Sequence, residues 1–469
     1  MNPYLAQPKG RKTITLVGIY FGFIASLMQS ASLSTLLPVA ATEIGGEDIY
    51  PLASIVVSII SVMAMPLYGY IGASRPRAKP MLVVLSLSVG GFLMLLIRAF
   101  ALNMWIVVIT SFFYGLVSAG LFVIGFSLIR DMFEQAVAGT YLGLVGSFMS
   151  FGMLAGPAIS GVIMDTLGWR AVCHLLWVLF AVSAVLVFCG VRITKEESEK
   201  MATAGASFDL PGAVFMMLFM TGFILFLSLG SRYVPFGTPG NWALIAVMAA
   251  GLAGLVTVIR RKKGAAIIPS TVLADRNTMV FVICNFLLAG SSMAVFFFMP
   301  TYVLYVMRGT ATQAALTTTL MSVLGLFLGP VFGRMIARAG SAKFVLTIGT
   351  VVRIAVTLLF ILLLKPATPL MLVYVLMLLA GFYNSQQTIT FSTGPQIQIR
   401  PEIRVLGNSV VQVGQNLGSA VAMVVYTIII SGLGVVDGLP VAFWVAAGLA
   451  AAALLVGLLL KKLDAQETA

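Results

Sequence analysis

Long apolar runs, separated by short polar segments, make up most of this chain. A transmembrane helix needs about 20 predominantly apolar residues, whereas the strands of a membrane barrel alternate apolar and polar residues over about ten. The runs therefore predict an all-α integral membrane protein with fourteen membrane-spanning helices. Their predicted bounds are 14–41, 50–73, 80–98, 104–130, 139–164, 171–191, 211–229, 241–259, 278–306, 313–336, 343–364, 369–393, 406–431 and 440–460.

The composition agrees with a lipid environment. Hydrophobic residues make up 60% of the chain and charged residues 9%, with a mean hydropathy of +1.06. A soluble protein carries about 25% charged residues, so a water-soluble fold is excluded. The 3 cysteines lie within apolar runs and form neither a disulfide framework nor a metal cluster. The sequence therefore predicts no catalytic residues, no metal site and no cofactor.

Basic residues predict the orientation of the helices. With a cytoplasmic N-terminus, 22 of the 28 Lys and Arg residues fall in cytoplasmic segments. Because basic residues concentrate in cytoplasmic loops, we expect both termini in the cytoplasm and a plasma-membrane location, the inner membrane in a bacterium. The net charge of +13 then reflects topology, and no nucleic-acid partner is predicted. The residues assigned to outer loops are Arg98, Arg170, Arg232, Arg308 and Lys365.

Two charged linkers divide the chain. RITKEESEKMATAGAS (192–207) follows six predicted helices, and RRKKGAAIIPSTVLADRN (260–277) follows two more. The predicted domains are an N-terminal six-helix bundle (1–200), an inserted pair of transmembrane helices (201–263) and a C-terminal six-helix bundle (264–469). Repeated halves of this kind are typical of transporters, whose substrate site lies between the halves near mid-membrane.

Two motifs resemble those of the major facilitator superfamily. GMLAGPAISG (152–161) is similar to its antiporter motif, and GRMIARAGSAK (333–343) to its loop signature, although Ala337 stands where the signature has an acid. FDLPG (208–212) and MPTYVLYVMRGTATQAAL (299–316) look like the fourteen-span drug/proton antiporter branch. The resemblance implies two six-helix bundles with two extra helices between them. It also implies structural or gating roles for Gly152, Gly156, Pro157, Gly161, Gly333, Arg338, Gly340 and Lys343.

Charges that this branch usually carries inside the membrane are missing here. Aligned on Leu37–Pro38, Gln29 occupies the place of an aspartate in the first helix and Ser34 that of an asparagine. Ser111 and Gln415 occupy the places of two arginines. No acid falls at mid-membrane, so proton coupling would have to use Asp131, Glu134 or Asp165 near the interfaces.

The remaining polar residues suggest a neutral binding surface. The resemblance implies that the first, fourth, ninth and twelfth helices face the substrate cavity. Amides and hydroxyls there can bond a ligand without the cost of burying a charge. Alternatively, they bond their own helix or join neighbouring helices. Arg353 lies inside the eleventh helix, where an intramembrane charge can anchor an anion. The resemblance, however, makes this an outer helix that lies away from the cavity, which favours extension of Arg353 to the cytoplasmic face or a bond to a neighbour. The predicted substrate-binding residues are Gln29, Ser34, Tyr114, Asn285, Tyr383, Asn384, Gln386 and Gln387.

These features favour a secondary carrier that works by alternating access and exports a small amphipathic organic compound, drug-like or a metabolite. A second hypothesis is an uptake carrier or uniporter for an organic anion or neutral metabolite, without proton coupling. A remote third, a membrane enzyme or signalling protein, would need a catalytic cluster or a soluble domain. No nucleotide-binding loop is present, which excludes ATP as the driver. The expected partners are the substrate, the lipid bilayer and, for coupled transport, an ion; the protein is expected to be a monomer.

Overall fold

The structure, a computed structural model, describes residues 3–46, 50–201, 209–229, 238–262, 270–309, 311–365 and 368–462. These ranges consist of long helices joined by short connections. The first twelve are α1 Lys9–Ile44, α2 Tyr50–Ser74, α3 Pro76–Ala99, α4 Met104–Met132, α5 Gln135–Leu167, α6 Trp169–Phe188, α7 Leu210–Leu229, α8 Pro239–Lys262, α9 Arg276–Tyr305, α10 Ala311–Ala339, α11 Lys343–Leu363 and α12 Leu370–Gln398.

The last helical stretch, Arg404–Gly457, contains two helices that meet at Gly434. The φ angle of Gly434 is 78°, a left-handed conformation that glycine adopts readily and that interrupts a right-handed helix. We call the helices on either side α13 (404–433) and α14 (435–457). The short helices Lys195–Met201 and Ser270–Ala274 lie in the two linkers.

Length and composition support membrane spanning for most of these helices. Within the described residues, eleven helices are long and apolar enough to cross a membrane, and Ile59–Ser74 and Pro211–Phe223 are shorter apolar segments. Helix α12 is 29 residues long but is not one of the eleven; its second half carries the amides of Gln386, Gln387, Gln396 and Gln398. The all-helical membrane architecture is therefore confirmed, whereas the number of fourteen spans stays a prediction.

Helices α3 and α4 both change winding near their middles. Ser86–Leu93 of α3 and Ala119–Gly125 of α4 are π-helical. The two segments touch: a Cβ atom added to Gly120 would lie 2.3 Å from the Ser86 Oγ atom. Because π segments inside α-helices occur frequently at functional sites, this crossing marks a region of interest in the first half of the chain.

The chain separates into two compact units. The first comprises 1–134, 152–274 and 401–410, and the second comprises 135–151, 275–400 and 411–469. In the first unit α1 packs along α6, α2 packs along α4, and the inserted helix α7 packs on both α8 and α2. In the second unit α12 packs along α10 and α11, while α9 contacts α10 and α12. The predicted boundaries at residues 200 and 263 stay a prediction.

Asp209 connects the two inserted helices. Its side chain accepts a hydrogen bond from the Gly212 amide (3.1 Å) at the start of α7 and one from the Lys262 ammonium (2.9 Å) at the end of α8. The Asp209 side chain is fully buried. The FDLPG motif thus combines a helix N-cap with an ion pair that fastens the ends of the α7–α8 hairpin.

The orientation can be tested with reporter fusions. Fusions after Lys200 and Lys263 are expected to report the cytoplasm, and fusions after Asp48 and Asp437 the outside, because 22 basic residues then lie in cytoplasmic segments. Lys263 and Asp48 themselves lie outside the described residues. An outside signal after Lys263 would overturn the predicted number of helices.

Candidate functional site

In the first unit, Gln29 is a buried amide with no protein partner. Its side chain is 1% exposed on α1, and neither Nε2 nor Oε1 has a hydrogen-bond partner among the described residues. Leaving a buried polar group unpaired costs about 1–3 kcal/mol, so such a group is rarely kept without a use. Gln29 therefore has both a donor and an acceptor available for a ligand.

The other residues predicted for the first unit have different surroundings. The Tyr114 hydroxyl on α4 donates to the Ser26 carbonyl oxygen (2.7 Å), which joins α4 to α1. The Ser32 and Ser160 hydroxyls are 2.6 Å apart and join α1 to α5. Tyr114 thus takes the helix-joining alternative. The side chain of Ser34 lies outside the described part of the chain.

Arg98 corrects the loop assignment made from the sequence. It belongs to α3, not to an outer loop, and its side chain is fully buried. The guanidinium donates from Nη2 to the Ser111 Oγ atom (2.5 Å) and the Val107 carbonyl oxygen (3.1 Å), and from Nε to the Thr110 Oγ1 atom (3.2 Å). The arginine that the resemblance places at position 111 is absent, but a guanidinium from the neighbouring helix contacts Ser111.

The first unit also contains a buried ion pair. Lys79 Nζ lies 2.6 Å from the Asp131 Oδ2 atom and donates to the Ser127 Oγ atom (3.0 Å), with the two charged side chains 4% and 10% exposed. Lys79 ends GYIGASRPRAK (69–79), the loop of the first half that is equivalent to GRMIARAGSAK (333–343). Lys343 holds the matching place in the second loop, yet it is exposed. The two loops, which resemble one another in sequence, therefore differ in their electrostatics.

In the second unit, Arg353 organises a polar cluster between three helices. From α11, its Nη1 atom donates to the Leu288 carbonyl oxygen (2.5 Å) and the Ser292 Oγ atom (2.8 Å) on α9. Its Nη2 atom donates to the Gln387 Oε1 atom (2.5 Å) on α12, and the guanidinium carbon lies 4.5 Å from the centre of the Tyr383 ring. Arg353 thus bonds its neighbours, one of the alternatives that the sequence left open, and brings Tyr383 and Gln387 together.

The neighbouring amides of α12 point elsewhere. Gln386 donates from Nε2 to the Thr390 Oγ1 atom (2.8 Å) and packs against Gly349 of α11, where an added Cβ atom would lie 2.1 Å from the Gln386 Cγ atom. Gln386 therefore fills the contact between α11 and α12. Asn384 is half-buried.

Asn285 joins α9 to α13. Its Nδ2 atom donates to the Val411 carbonyl oxygen (3.1 Å) and lies 3.5 Å from the Gln415 Oε1 atom. Its Oδ1 atom is buried without a partner among the described residues. Gln415, which the resemblance aligned with an arginine, is thus beside a second amide that has a free acceptor.

The glycines of the 152–161 motif differ in how closely they are packed. An added Cβ atom at Gly156 would lie 2.9 Å from the Met28 Cα atom of α1, and one at Gly152 would lie 2.8 Å from the Ile24 carbonyl oxygen. An added Cβ atom at Gly161 would meet no other described atom within 4 Å. Close helix approach therefore involves Gly152 and Gly156, while the side chain of Pro157 lies outside the described part.

Some residues of the 333–343 signature pack against another helix or end a helix, and others are exposed at the surface. An added Cβ atom at Gly333 of α10 would lie 2.2 Å from the Gly139 carbonyl oxygen of α5, which belongs to the same unit. Gly340 has a φ of 63° and ends α10, whereas Arg338 and Lys343 are exposed. The glycines thus have structural roles in packing and in ending a helix.

Comparison with known proteins identifies the family. The sequence profile of the Major Facilitator Superfamily matches residues 19–395 and 281–469. "Multidrug resistance protein 3" of Bacillus subtilis (strain 168) is 21% identical over 433 residues, which cover 91% of this chain and 81% of that protein. "Multidrug transporter protein MdtP" of the same organism is 19% identical over 72% of this chain and 61% of its own length.

Among solved structures, the human organic anion transporter MFSD10 (TETRAN) superposes with a TM-score of 0.67 at 14% identity, covering 96% of this chain and 100% of that one. At this identity the likeness concerns the fold. The chain spans 81% of the first relative, but only about 60% of "MFS-type transporter sphD" of Aspergillus fumigatus and of the MdtP protein. With its profile matched over most of its length, the chain belongs to the Major Facilitator Superfamily and is a membrane transporter.

Proposed function

We propose that this chain is a secondary active transporter that works by alternating access and exports a small amphipathic organic compound. The observation that carries the proposal is its similarity, over 91% of its length, to a protein named for multidrug resistance. Other similar proteins are named as efflux pumps. The buried, unpartnered amide of Gln29 supports a binding role for the polar residues of the apolar helices.

The second candidate is an uptake carrier or uniporter for an organic anion or neutral metabolite, without proton coupling. It is favoured by the positions of the described acids. Asp131 is paired with Lys79 at the end of α4, Asp437 is exposed next to the turn at Gly434, and Glu134 is exposed before α5. A proton relay uses a carboxylate or histidine in the membrane, and these acids lie at helix ends.

Transport assays on liposomes that contain the purified protein separate the two candidates. We also propose that the protein is a plasma-membrane monomer with cytoplasmic termini. In the assay, pH and sodium gradients are imposed one at a time across the vesicle membrane, so that the coupling ion can be identified. A secondary active transporter accumulates the compound against its gradient when the correct ion gradient is present. A uniporter only equilibrates the compound, whichever gradient is imposed, and this result would reject the first candidate.

Gln29→Ala is expected to weaken substrate binding about 2–13-fold, the effect of losing one hydrogen bond worth about 0.5–1.5 kcal/mol. Transport by the parent protein and by this variant is expected to vary little between about pH 6 and pH 8, because an amide does not titrate there. Gln29→Asp is expected to introduce a pH dependence. The measurement is initial transport rate against substrate concentration at several pH values.

Thr13→Ala provides the control for Gln29→Ala. Thr13 lies on the same helix but is exposed and bonds only its own helix, at the Lys9 carbonyl oxygen (3.0 Å). Thr13→Ala is expected to transport like the parent. If the parent instead acidifies the vesicles in step with substrate movement, the neutral role of Gln29 is wrong, and Asp131, Glu134 and Asp165 become the residues to test.

A further inference from the structure

Arg353 carries a buried positive charge that no acid neutralises within the described residues. The side chain is 1% exposed, and its partners are a carbonyl oxygen, a hydroxyl, an amide oxygen and an aromatic ring. The second unit contains two described acids. Asp275 caps α9 and lies 3.4 Å from Arg400, and Asp437 is exposed. A buried charge of one sign therefore persists in the membrane-spanning part of this unit, at a considerable desolvation cost.

The contacts of Arg353 determine how Gln387 presents its amide. Gln387 Oε1 accepts from the Arg353 guanidinium (2.5 Å) and from the Ser292 hydroxyl (2.9 Å). Because a guanidinium can only donate, the oxygen of the amide must face it. The Nε2 group of Gln387 then lies at the opposite end, as two N–H donors with no described protein partner. A ligand that reaches Gln387 thus meets donors, and behind them a positive charge.

Arg98 adds a charge of the same sign in the first unit. It is fully buried, and its described partners are a carbonyl oxygen and two hydroxyls. Its Nη1 atom is buried without a partner. Each unit therefore contains one buried arginine without an acidic partner among the described residues.

We propose that the transported compound is an amphipathic organic anion, and that its carboxylate or sulfonate binds the Nε2 group of Gln387 in the electrostatic field of Arg353. Arg353 is a positioning residue, since it fixes the orientation of Gln387 and supplies the charge. The proposal rests on the transport function above and names its substrate class. Amphipathic cations are disfavoured at this site because the buried charge of Arg353 repels them.

The competing explanation is that Arg353 only holds α9, α11 and α12 together. If its role is purely structural, replacing Arg353 lowers the stability of the protein and weakens the binding of every ligand to the same extent. The informative quantity is therefore the ratio between the affinities for an anion and for a cation of the same shape, since a packing defect does not change that ratio.

The test uses three probes with one aromatic skeleton: 2-naphthoate, 2-naphthylmethanol and 2-naphthylmethylammonium. Binding to the full chain in liposomes is measured by equilibrium dialysis at pH 7. The parent is expected to bind the anion at least about tenfold more tightly than the ammonium, because one charge several Å away, in an effective dielectric of about 20, changes affinity by that factor. Arg353→Gln is expected to remove the preference.

Three further variants keep the test decisive if Arg353→Gln folds poorly. Arg353→Lys retains the charge and is expected to retain the anion preference. Gln387→Glu keeps the shape, but its carboxylate pairs with Arg353 and replaces the donors, so anion affinity is expected to fall about tenfold. Arg261→Gln removes an exposed charge at the end of α8 and is expected to bind all probes like the parent.

Equal binding of the anion and the ammonium by the parent, or failure of the parent to bind the anion, would overturn the proposal. So would an unchanged preference in Gln387→Glu. Failure of the transport function has a different signature: the expected anion preference in binding, with none of the three probes moving across the liposome membrane under any imposed gradient.

Discussion

Gly156→Leu is expected to abolish transport, whereas Gly161→Leu, five residues further along α5, is expected to leave it nearly intact. A Cβ atom at position 156 would lie 2.9 Å from both the Met28 Cα atom and its carbonyl oxygen. Because these are backbone atoms, no rotation of a side chain relieves the clash, and α1 and α5 must separate. A Cβ atom at position 161 would have no neighbour within 4 Å.

The two variants introduce the same side chain into the same helix, so helix propensity and hydrophobicity are matched. Overpacking of a well-packed core costs about 1–3 kcal/mol or more, which disturbs the α1–α5 contact while leaving the apolar helices inserted. The measurement is transport per molecule of membrane-inserted protein. Full activity of Gly156→Leu would show that close approach of these helices is not required, and equal loss in both variants would show that the effect is not steric.

The sequence predicted the helices well because helix length and hydrophobicity are local properties. The predicted span 343–364 corresponds to Lys343–Leu363, and 50–73 corresponds to Tyr50–Ser74. The membrane architecture and the family followed from the same runs and from the glycine motifs. The exception is Arg98, which ends the predicted span 80–98: its charge predicted an outer-loop position, whereas the side chain is buried at the end of α3.

The direction of individual side chains could not be predicted from the sequence. Gln386 and Gln387 are adjacent amides, yet one packs against Gly349 and the other contacts Arg353, since successive residues of a helix point about 100° apart. The rotation of α12 about its axis depends on packing against α10 and α11. In the same way, the motif 152–161 could not separate Gly156, which packs closely against α1, from Gly161, where an added Cβ atom would meet no described atom within 4 Å.

The buried acids and the buried arginines differ in their positions and partners, which the numbers of charged residues in the sequence did not reveal. The described buried acids lie at helix ends and are paired with bases, as in Lys79–Asp131 and Lys262–Asp209. Among the described residues, the fully buried arginines are Arg98 and Arg353, which lie on spanning helices and have only neutral partners there. We therefore expect the acids to hold helices together and the arginines to affect ligand binding. Replacing a member of an acid–base pair should then lower the stability of the protein.

Replacing either member of the Lys79–Asp131 pair is expected to destabilise the protein strongly. The atoms Nζ and Oδ2 lie 2.6 Å apart, and the two side chains are 4% and 10% exposed. Removal of one partner breaks a buried ion pair and leaves the other charge without that partner, which costs about 3–5 kcal/mol. We expect Lys79→Met and Asp131→Leu each to lower the thermal denaturation temperature of the purified protein markedly. The double variant, which removes both charges of the pair, is expected to be more stable than either single variant.

The exposed pair Lys195–Glu199 is the matched control. Its atoms lie 4.0 Å apart and its side chains are 80% and 68% exposed, so solvent already screens the charges. Lys195→Met and Glu199→Leu are expected to leave the denaturation temperature nearly unchanged. If Asp131→Leu instead denatures at the parent's temperature but loses a pH-driven component of transport, Asp131 carries protons rather than fastening α3 to α4, and the assignment of the acids to structure is wrong.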